Sequence, residues 1–523
     1  MTLLLLAALA QASEPGAPIE ARATEDAARA EEQGVKPTLP KPGNGLKFLG
    51  LVQFKPTATN LTSTNPFLDG QVIGALGGTS GMTAGESAGF YTEQRVGAFF
   101  TYAPPILDGH AALSAGFEVD WAMGDQSYST GGNVGGGFGA DGVNLQTRRM
   151  NVSLKPDLPG GHRLHVIVGM QWLGDSVNDP TASRPDDLFR SGGRVMFWGS
   201  EAAGVAAYGG YETGWGDRLR YRLGAFSLYE RGLTEPDDVW IAVVDVQAHP
   251  LYATTVGGHA WALRDRSGGQ QGLLGVGPSS SLAEWQGAAR LDLRPDGEGT
   301  APAISTDLYW LALDAAYNHN LAKGPLGATA LALLNTGTVY GQGVPNVPVR
   351  GFVGDAEVRL RYAEGKGSVI RVEGLYVSAD DPDTQRYEGV FTGNTYGIVG
   401  AVHLTHGCLL LFPDPFSINR QLAVVYDTSA AGRGLLAVSG SVGYDVIPSR
   451  LTVRGGAAHA HEPGVGHYGT ELNASVIAEP WLFLRTGLHA ATVVGRDVPP
   501  AGASEGLPRN PWMVYGSLDW VVF

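Results

Sequence analysis

The feature of this sequence that most restricts its fold is a regular alternation of apolar and polar residues from Gly45 onward, in runs of about 10–13 residues. In residues 111–121, for example, Leu113 and Phe117 fall on one side of an extended chain and Glu118 falls on the other. Successive side chains of a strand point to opposite faces, so each run forms one apolar face and one face of charged, small or glycine residues. The alternation therefore predicts an all-β chain of long, two-faced strands.

The connections between these runs alternate in length. Short turns rich in Pro, Gly and Asp, such as 104–109 and 447–449, are separated by longer polar loops, such as 123–142 and 379–394. This order is typical of an up-and-down meander with one simple end and one elaborate end. The runs are close to the roughly 9–11 residues that cross a bilayer at a tilt, and a sheet spans a membrane only as a closed barrel. We therefore expect a transmembrane antiparallel up-and-down β-barrel of about 18 strands, within a range of about 16–20, with short periplasmic turns and long extracellular loops.

Two other all-β classes fit the pattern less well. A β-propeller is expected to repeat every 40–50 residues or so with a blade motif, and the sequence shows no such repeat. A β-sandwich is expected to have shorter strands with dry inner faces, whereas here Glu, Asp and Arg occupy successive positions of the polar face, as a wet lumen requires. Two segments, 283–293 and 396–427, leave the strand count open, because the first disturbs the up-and-down order and the second does not alternate.

Composition excludes several functions. The chain carries a formal net charge of −15 and has no block of Lys and Arg, which argues against a nucleic-acid partner. Its one cysteine, Cys408, excludes a disulfide framework and any Cys-rich metal site. We expect no cofactor.

The residues before Gly45 lack the alternation and divide into two segments. Residues 3–10 are an apolar run, followed by Ala10-Gln11-Ala12, a small-x-small site of the kind that signal peptidase cleaves. Residues 1–12 are interpreted as a signal peptide, with a buried N-terminal helix as the alternative. Residues 13–44 contain several prolines and no apolar stripe, and are interpreted as a flexible periplasmic extension before a barrel of residues 45–523.

The other end of the sequence resembles a known signal. The chain finishes with an aromatic-rich alternating segment, 512–523, whose last residue is Phe523. This ending is similar to the C-terminal strand of bacterial outer-membrane barrels. The resemblance implies recognition by the barrel assembly machinery, contact with outer-membrane lipid, and a location in the outer membrane of a Gram-negative bacterium.

The polar faces supply the candidate functional residues. An arginine stack at 218–222 favours a pore selective for anions, because guanidinium groups pair with carboxylates and phosphates. The alternative is that lumen-facing charges pair with one another and stiffen the wall, and the mixed signs on other strands favour it. By alternation, the charged residues that face the lumen include Arg218, Arg220, Arg222, Arg359, Arg361, Arg371, Glu373, Glu118 and Asp120.

Catalytic and metal signals are weak. The segment Gly85–Gly89 matches G-x-S-x-G around Ser87, but no helical pattern follows it, and a nucleophile elbow requires one. His459 and His461 fall on one face of a strand as a possible metal pair, without an evident third ligand. We therefore expect a protein that is not an enzyme and has no catalytic or metal-ligating residues.

A low-specificity resemblance refines the expected function. After a strand pair around 352–378, the acidic loop 378–389 and the Tyr/Gly segment 393–397 are similar to the central part of alginate-export barrels. The resemblance implies a passive conduit for an anionic exopolysaccharide, working with a periplasmic polysaccharide-export protein. A general diffusion porin, which an inward-folded constricting loop would mark, is one alternative. A barrel without a transport role, such as an adhesin, a scaffold or an enzyme, is the other.

Overall fold

A computed structural model of the 523-residue chain describes most of the region after residue 44. It describes residues 45–60, 62–63, 82–83, 89–123, 134–137, 140–160, 162–174, 199–213, 216–229, 238–251, 253–268, 304–381, 383–391, 408–411, 432–464, 466–481, 483–497 and 509–522. The predicted signal peptide (1–12), the predicted extension (13–44), Ser87, the 283–293 segment, most of 396–427 and Phe523 lie outside these residues.

Eighteen strands of the described residues form one closed ring, in which each strand is antiparallel to both neighbours. The ring closes where the first strand pairs with the last, with Gly50 opposite Val522. The predicted fold class and strand number are confirmed. In chain order the strands are β1 Gly45–Thr59, β2 Gly89–Ala103, β3 Ala111–Met123, β4 Ala140–Leu154, β5 His162–Gly174, β6 Gly199–Thr213, β7 Gly216–Tyr229, β8 Val239–Ala248, β9 Thr254–Asp265, β10 Ile304–Tyr317, β11 Leu326–Gly341, β12 Val347–Arg361, β13 Val369–Val377, β14 Leu435–Ile447, β15 Leu451–Glu462, β16 Gly466–Trp481, β17 Leu484–Val494 and β18 Trp512–Val522.

The alternation in the sequence becomes an outside and an inside. On β3, Leu113 and Phe117 are exposed on the outer surface, whereas Ser114 and Glu118 are buried on the inner one. Exposed Leu, Val, Tyr and Trp side chains recur around the ring, for example Leu313 on β10, which is 69% exposed. A closed barrel with an apolar outer surface is the architecture of outer-membrane barrels, because lipid satisfies no backbone hydrogen bonds. The protein is therefore an outer-membrane β-barrel.

The two ends of the barrel differ as the connections predict. One end carries short turns, including 362–368 and 448–450, and a 3₁₀ turn at Pro105–Leu107. The long connections, including 378–434, emerge at the opposite end. Short additional strands accompany the ring, with Thr62–Ser63 paired to Met82–Thr83 and Val134–Gly137 beside β4. In the described part of the chain, no helix has the length and apolar character that a membrane span requires.

The inner surface departs from the expected uniformly wet lumen. Between β8 and β12, inward positions are occupied by fully buried apolar side chains, among them Ile241, Trp310 and Val353. Tyr387 and Phe391, from the long connection after β13, are buried against the same sector. The sequence predicts a wet interior with no dry core, and in this sector the prediction is wrong. Residues of the connection after β13 fold into the barrel and pack against these apolar side chains.

One strand also breaks its predicted alternation. The sequence groups Tyr468 with Leu472 on the apolar outer face, but Tyr468 is fully buried while Leu472 is exposed. The β15–β16 register shifts at this point, and Gly469 has a φ of +123°, which suits glycine. An extra residue in one strand turns the chain over locally, so residues before and after the bulge face opposite sides.

Candidate functional site

The candidate site is the lumen, and its most prominent feature is an inward-folded loop. We use this name for the described residues 378–381, 383–391 and 408–411 of the connection between β13 and β14. Its first part lies along β12: Tyr387 N–H donates to the carbonyl of Pro348, and Arg350 N–H donates to the carbonyl of Tyr387, both at 2.8 Å. These bonds and the β-bridge between Val349 and Tyr387 attach the loop to the inner wall like a short extra strand.

Wall side chains then fix the following residues of the loop. Trp310 Nε1–H on β10 donates to the carbonyl of Phe391, and Phe391 N–H donates to Oδ1 of Asn335 on β11, each at 2.8 Å. The Phe391 ring packs on Tyr387, with 5.0 Å between ring centroids. Both backbone groups of Phe391 are thus satisfied by the wall while its side chain is buried.

A single carboxylate holds the second part of the loop. Glu471 on β16 is fully buried and accepts the N–H groups of Leu409, Leu410 and Leu411 at 2.7, 3.0 and 2.5 Å. Asn473 Nδ2 also donates to Glu471, at 2.6 Å. Because β10 and β16 are six strands apart in the ring of eighteen, the two parts of the loop are attached to widely separated positions of the wall.

Cys408 begins this second part. The side chain is buried next to Glu471, and burial raises the pKa of its thiol well above the usual value. The carboxylates of Glu471 and Glu373 raise that pKa further, and Arg454 lowers it. A buried, protonated thiol of this kind packs as a small apolar group and is unreactive.

An arginine row lies beside this part of the loop. It consists of Arg371 on β13, Arg454 on β15 and Arg485 on β17, and the outer two are close enough to Arg454 to act on it electrostatically. Arg454 also donates to Ser441 Oγ at 3.1 Å. Within the described residues none of the three forms a salt bridge, but each is half-buried in the wall, and Glu373 acts on Arg371 electrostatically.

The alternation names Arg371 as facing the lumen and does not name Arg454 or Arg485. A run of arginines at successive inward positions of one strand is visible in a sequence, whereas these residues stand singly on alternate strands. Only the register between strands brings them together, and a single sequence does not reveal it.

The predicted arginine stack on β7 has a different environment. Arg222 is fully buried, and its Nη2 lies 2.6 Å from Oδ2 of Asp245 on β8. Asp245 Oδ1 in turn contacts His259 Nδ1 at 2.7 Å and accepts Trp261 Nε1–H at 2.9 Å. Arg222 is therefore part of a compensated network in the wall, Arg220 is half-buried in the same strand, and the Arg218 side chain lies outside what the structure describes.

Most of the predicted residues of β12 and β13 form contacts within the barrel wall and its turns. Arg359 forms a salt bridge with Glu357 and donates to the carbonyl of His319 at 2.9 Å. Arg361 donates to the carbonyl of Leu321 at 3.0 Å, so both arginines fasten the 318–325 turn. Glu373 is buried on the inner face of β13, two residues from Arg371, and acts on it electrostatically.

The remaining predicted residues lie on β3 and at the C-terminus. Glu118 is buried and pairs with Arg95 on β2 at 3.1 Å. Asp120 belongs to β3, with a side chain that the structure does not describe. In β18, the strand that precedes Phe523, Val514, Leu518 and Trp520 are exposed on the outer surface.

The known proteins that are similar to this chain are solved structures. No protein-family model and no curated protein matches the sequence. Similar solved structures include Pseudomonas aeruginosa OccK9 (OpdG), with 13% identity, a TM-score of 0.46 and coverage of 91% of this chain and 98% of that one. Pseudomonas aeruginosa OccK2 (OpdF) has 11% identity, a TM-score of 0.45 and coverage of 91% and 97%. The outer membrane channel DcaP of Acinetobacter baumannii has 11% identity, a TM-score of 0.40 and coverage of 91% and 97%. The likeness is one of general barrel form, and nothing in these comparisons supports the resemblance to alginate-export barrels.

Proposed function

We propose that this protein is a passive outer-membrane pore for small water-soluble solutes, with a preference for anions. The observation that carries the proposal is the inward-folded loop within a closed ring of eighteen strands. A barrel of this size encloses an aqueous channel unless something fills it, and a loop attached to the wall narrows the channel without closing the ring.

The inward-folded loop favours a general diffusion pore over an exopolysaccharide conduit. An inward-folded, constricting loop is the feature expected of a general diffusion porin. In this chain, buried groups of the wall fix both described parts of the inward-folded loop. A narrowed channel admits small hydrated solutes more readily than a polymer. Export of an exopolysaccharide with a periplasmic partner therefore has no support in the geometry.

The preference for anions rests on the arginine row. Arg371, Arg454 and Arg485 lie on the inner wall near Cys408 without a salt bridge among the described residues, and the carboxylates of Glu373 and Glu471 lie near the same thiol, whereas Arg222 is paired with Asp245. Several weak guanidinium contacts in series attract a carboxylate or phosphate without trapping it.

Single-channel recording in planar bilayers tests both parts of the proposal. The purified protein is expected to give stable conductance steps, and a salt gradient is expected to give a reversal potential of the sign for anion selectivity. Arg454→Gln is expected to shift this potential towards cation selectivity. The matched control is Arg450→Gln, which removes one positive charge from an exposed turn residue and is expected to leave the potential unchanged.

Different outcomes contradict the pore and its preference for anions. A folded protein that gives no conductance steps contradicts the pore. Equal reversal potentials for the wild type, Arg454→Gln and Arg450→Gln contradict the role of the arginine row and leave the pore in place. A lumen that proves closed would favour the barrel without a transport role, for which the buried apolar sector between β8 and β12 is the supporting observation.

A further inference from the structure

Three histidines meet on the outer surface of the hairpin that joins β15 and β16, away from the lumen. His459 and His461 are on β15, and His467 on β16 is the register partner of His461. Ala458 and Ala460, which alternate with the first two, are buried on the inner face. The bulge in β16 sets this register, so the third histidine that the sequence pattern lacks is supplied by the neighbouring strand.

The ring of His467 lies at the spacing of two imidazoles on one metal ion from each of the other two rings. His459 Nε2 lies 3.2 Å from His467 Nδ1. The ring of His467 is centred 5.1 Å from that of His459 and 4.9 Å from that of His461. A tetrahedral ion with nitrogen ligands at about 2.0–2.1 Å separates the ligating nitrogens by roughly 3.3 Å and their ring centres by about 5 Å.

Two further observations favour a ligand at this position. His459 Nδ1 lies 2.9 Å from Thr470 Oγ1, and if Nδ1–H donates to that oxygen, the lone pair of Nε2 points to His467. The buried Nδ1 of His461 has no hydrogen-bond partner among the described residues. Buried polar atoms are normally satisfied, so this unpartnered nitrogen is available to a ligand once the His461 ring turns.

We propose that His459, His461 and His467 bind one late first-row divalent metal ion, of the class Zn²⁺, Cu²⁺ or Ni²⁺, at the rim of the barrel that carries the long loops. Neutral imidazole suits these ions, and three protein ligands leave a position open to solvent. Among the described residues no group of three His, Cys, Asp or Glu side chains is placed to hold a metal ion as it stands, so binding requires His461 to turn about its side-chain torsions. Binding replaces the hydrogen bond between His459 and His467, and His467 then carries its proton on Nε2. The site is independent of the proposed pore.

Metal titration of the full chain in detergent, purified without a histidine tag, tests the proposal. Isothermal titration with Zn²⁺ is expected to show one saturable site per chain. His467→Ala is expected to weaken binding at least about tenfold, since loss of even an outer-shell partner costs about 10–100-fold. His110→Ala, which removes a partly exposed histidine from a turn at the other end of the barrel, is the matched control and is expected to bind as the wild type does.

A spectroscopic measurement keeps the test decisive if the variant does not fold. Bound Cu²⁺ is expected to give an electron paramagnetic resonance spectrum with coupling to three nitrogens in the wild-type protein. Absence of saturable Zn²⁺ binding, coupling to a single nitrogen, or equal affinities of a folded His467→Ala variant and the wild type would each overturn the site. An unaltered β-sheet circular dichroism spectrum of His467→Ala shows that the variant has folded.

Discussion

Replacing Glu471 by Gln tests whether one buried carboxylate holds the second part of the inward-folded loop. Oε1 of Glu471 accepts Leu409 N–H and the Asn473 amide, and Oε2 accepts Leu410 N–H and Leu411 N–H. Glutamine keeps the shape but offers one acceptor oxygen and an NH₂ group. Whichever way the new amide turns, at least one backbone N–H of the loop then faces another donor.

The magnitude follows from the number of donors lost. A buried donor left without a partner costs about 1–3 kcal/mol. The same free energy corresponds to a change of about 5- to 150-fold in the equilibrium between the attached and detached loop. Glu471→Ala leaves all three N–H groups of Leu409, Leu410 and Leu411 unsatisfied, so its effect is expected to be larger.

Single-channel conductance reports this equilibrium directly. The fraction of time in a higher-conductance level is expected to rise by the stated factor in Glu471→Gln. The control is Glu479→Gln, on the same strand but with an exposed side chain, and its record is expected to match that of the wild type. If Glu471→Gln folds and its conductance levels and dwell times equal those of the control, the carboxylate does not hold the loop.

Two further predictions use groups outside the strands. Cys408 is the one cysteine of the chain and is buried, so a maleimide is expected to label it slowly in the wild type. Labelling is expected to be at least about fivefold faster in Glu471→Gln. Equal labelling rates would contradict the attachment of the loop by Glu471. The pKa of the His110 imidazole is raised above its usual value, first by the hydrogen bond with the carbonyl of Lys155 and then by the carboxylate of Asp157. The stability that protonated His110 gives to this turn is therefore fully present below the unfolded-state pKa and is lost as pH rises through the folded-state pKa. Asp157→Asn removes the carboxylate and is expected to lower the His110 pKa in an NMR titration.

Much of the fold follows from the sequence because its cause is local. Apolar residues at alternate positions, such as Leu113 and Phe117, fix which face of a strand lies on the outer surface, and this information lies within one run. The order of short turns and long loops then fixes an up-and-down ring. Tyr468 shows the limit, because the bulge at Gly469 reverses the faces and the alternation continues without a visible break.

The contents of the lumen do not follow from the sequence because their cause is non-local. Arg454 and Arg485 become neighbours only through strand register. Glu471 and Leu410 are 61 positions apart, and nothing in either segment identifies the other as its partner. Alternation places Glu471 on an inner face, but it does not tell a wall-lining carboxylate from one that receives a loop.

The backbone chemistry of a barrel explains why a carboxylate occurs at this point of the wall. Around Glu471 the N–H and C=O groups of β16 are used by the two neighbouring strands, so this part of the wall offers the loop almost no free backbone acceptor, unlike β12, where the carbonyl of Pro348 accepts Tyr387 N–H. Burying Cys408–Leu411 brings three consecutive N–H donors that only side chains can satisfy. A carboxylate has about four lone-pair sites, enough for these donors and for Asn473, whereas a hydroxyl or an amide oxygen has two. Asn335 and Trp310 meet the same requirement for Phe391 with one acceptor and one donor, because there the loop presents one N–H and one C=O.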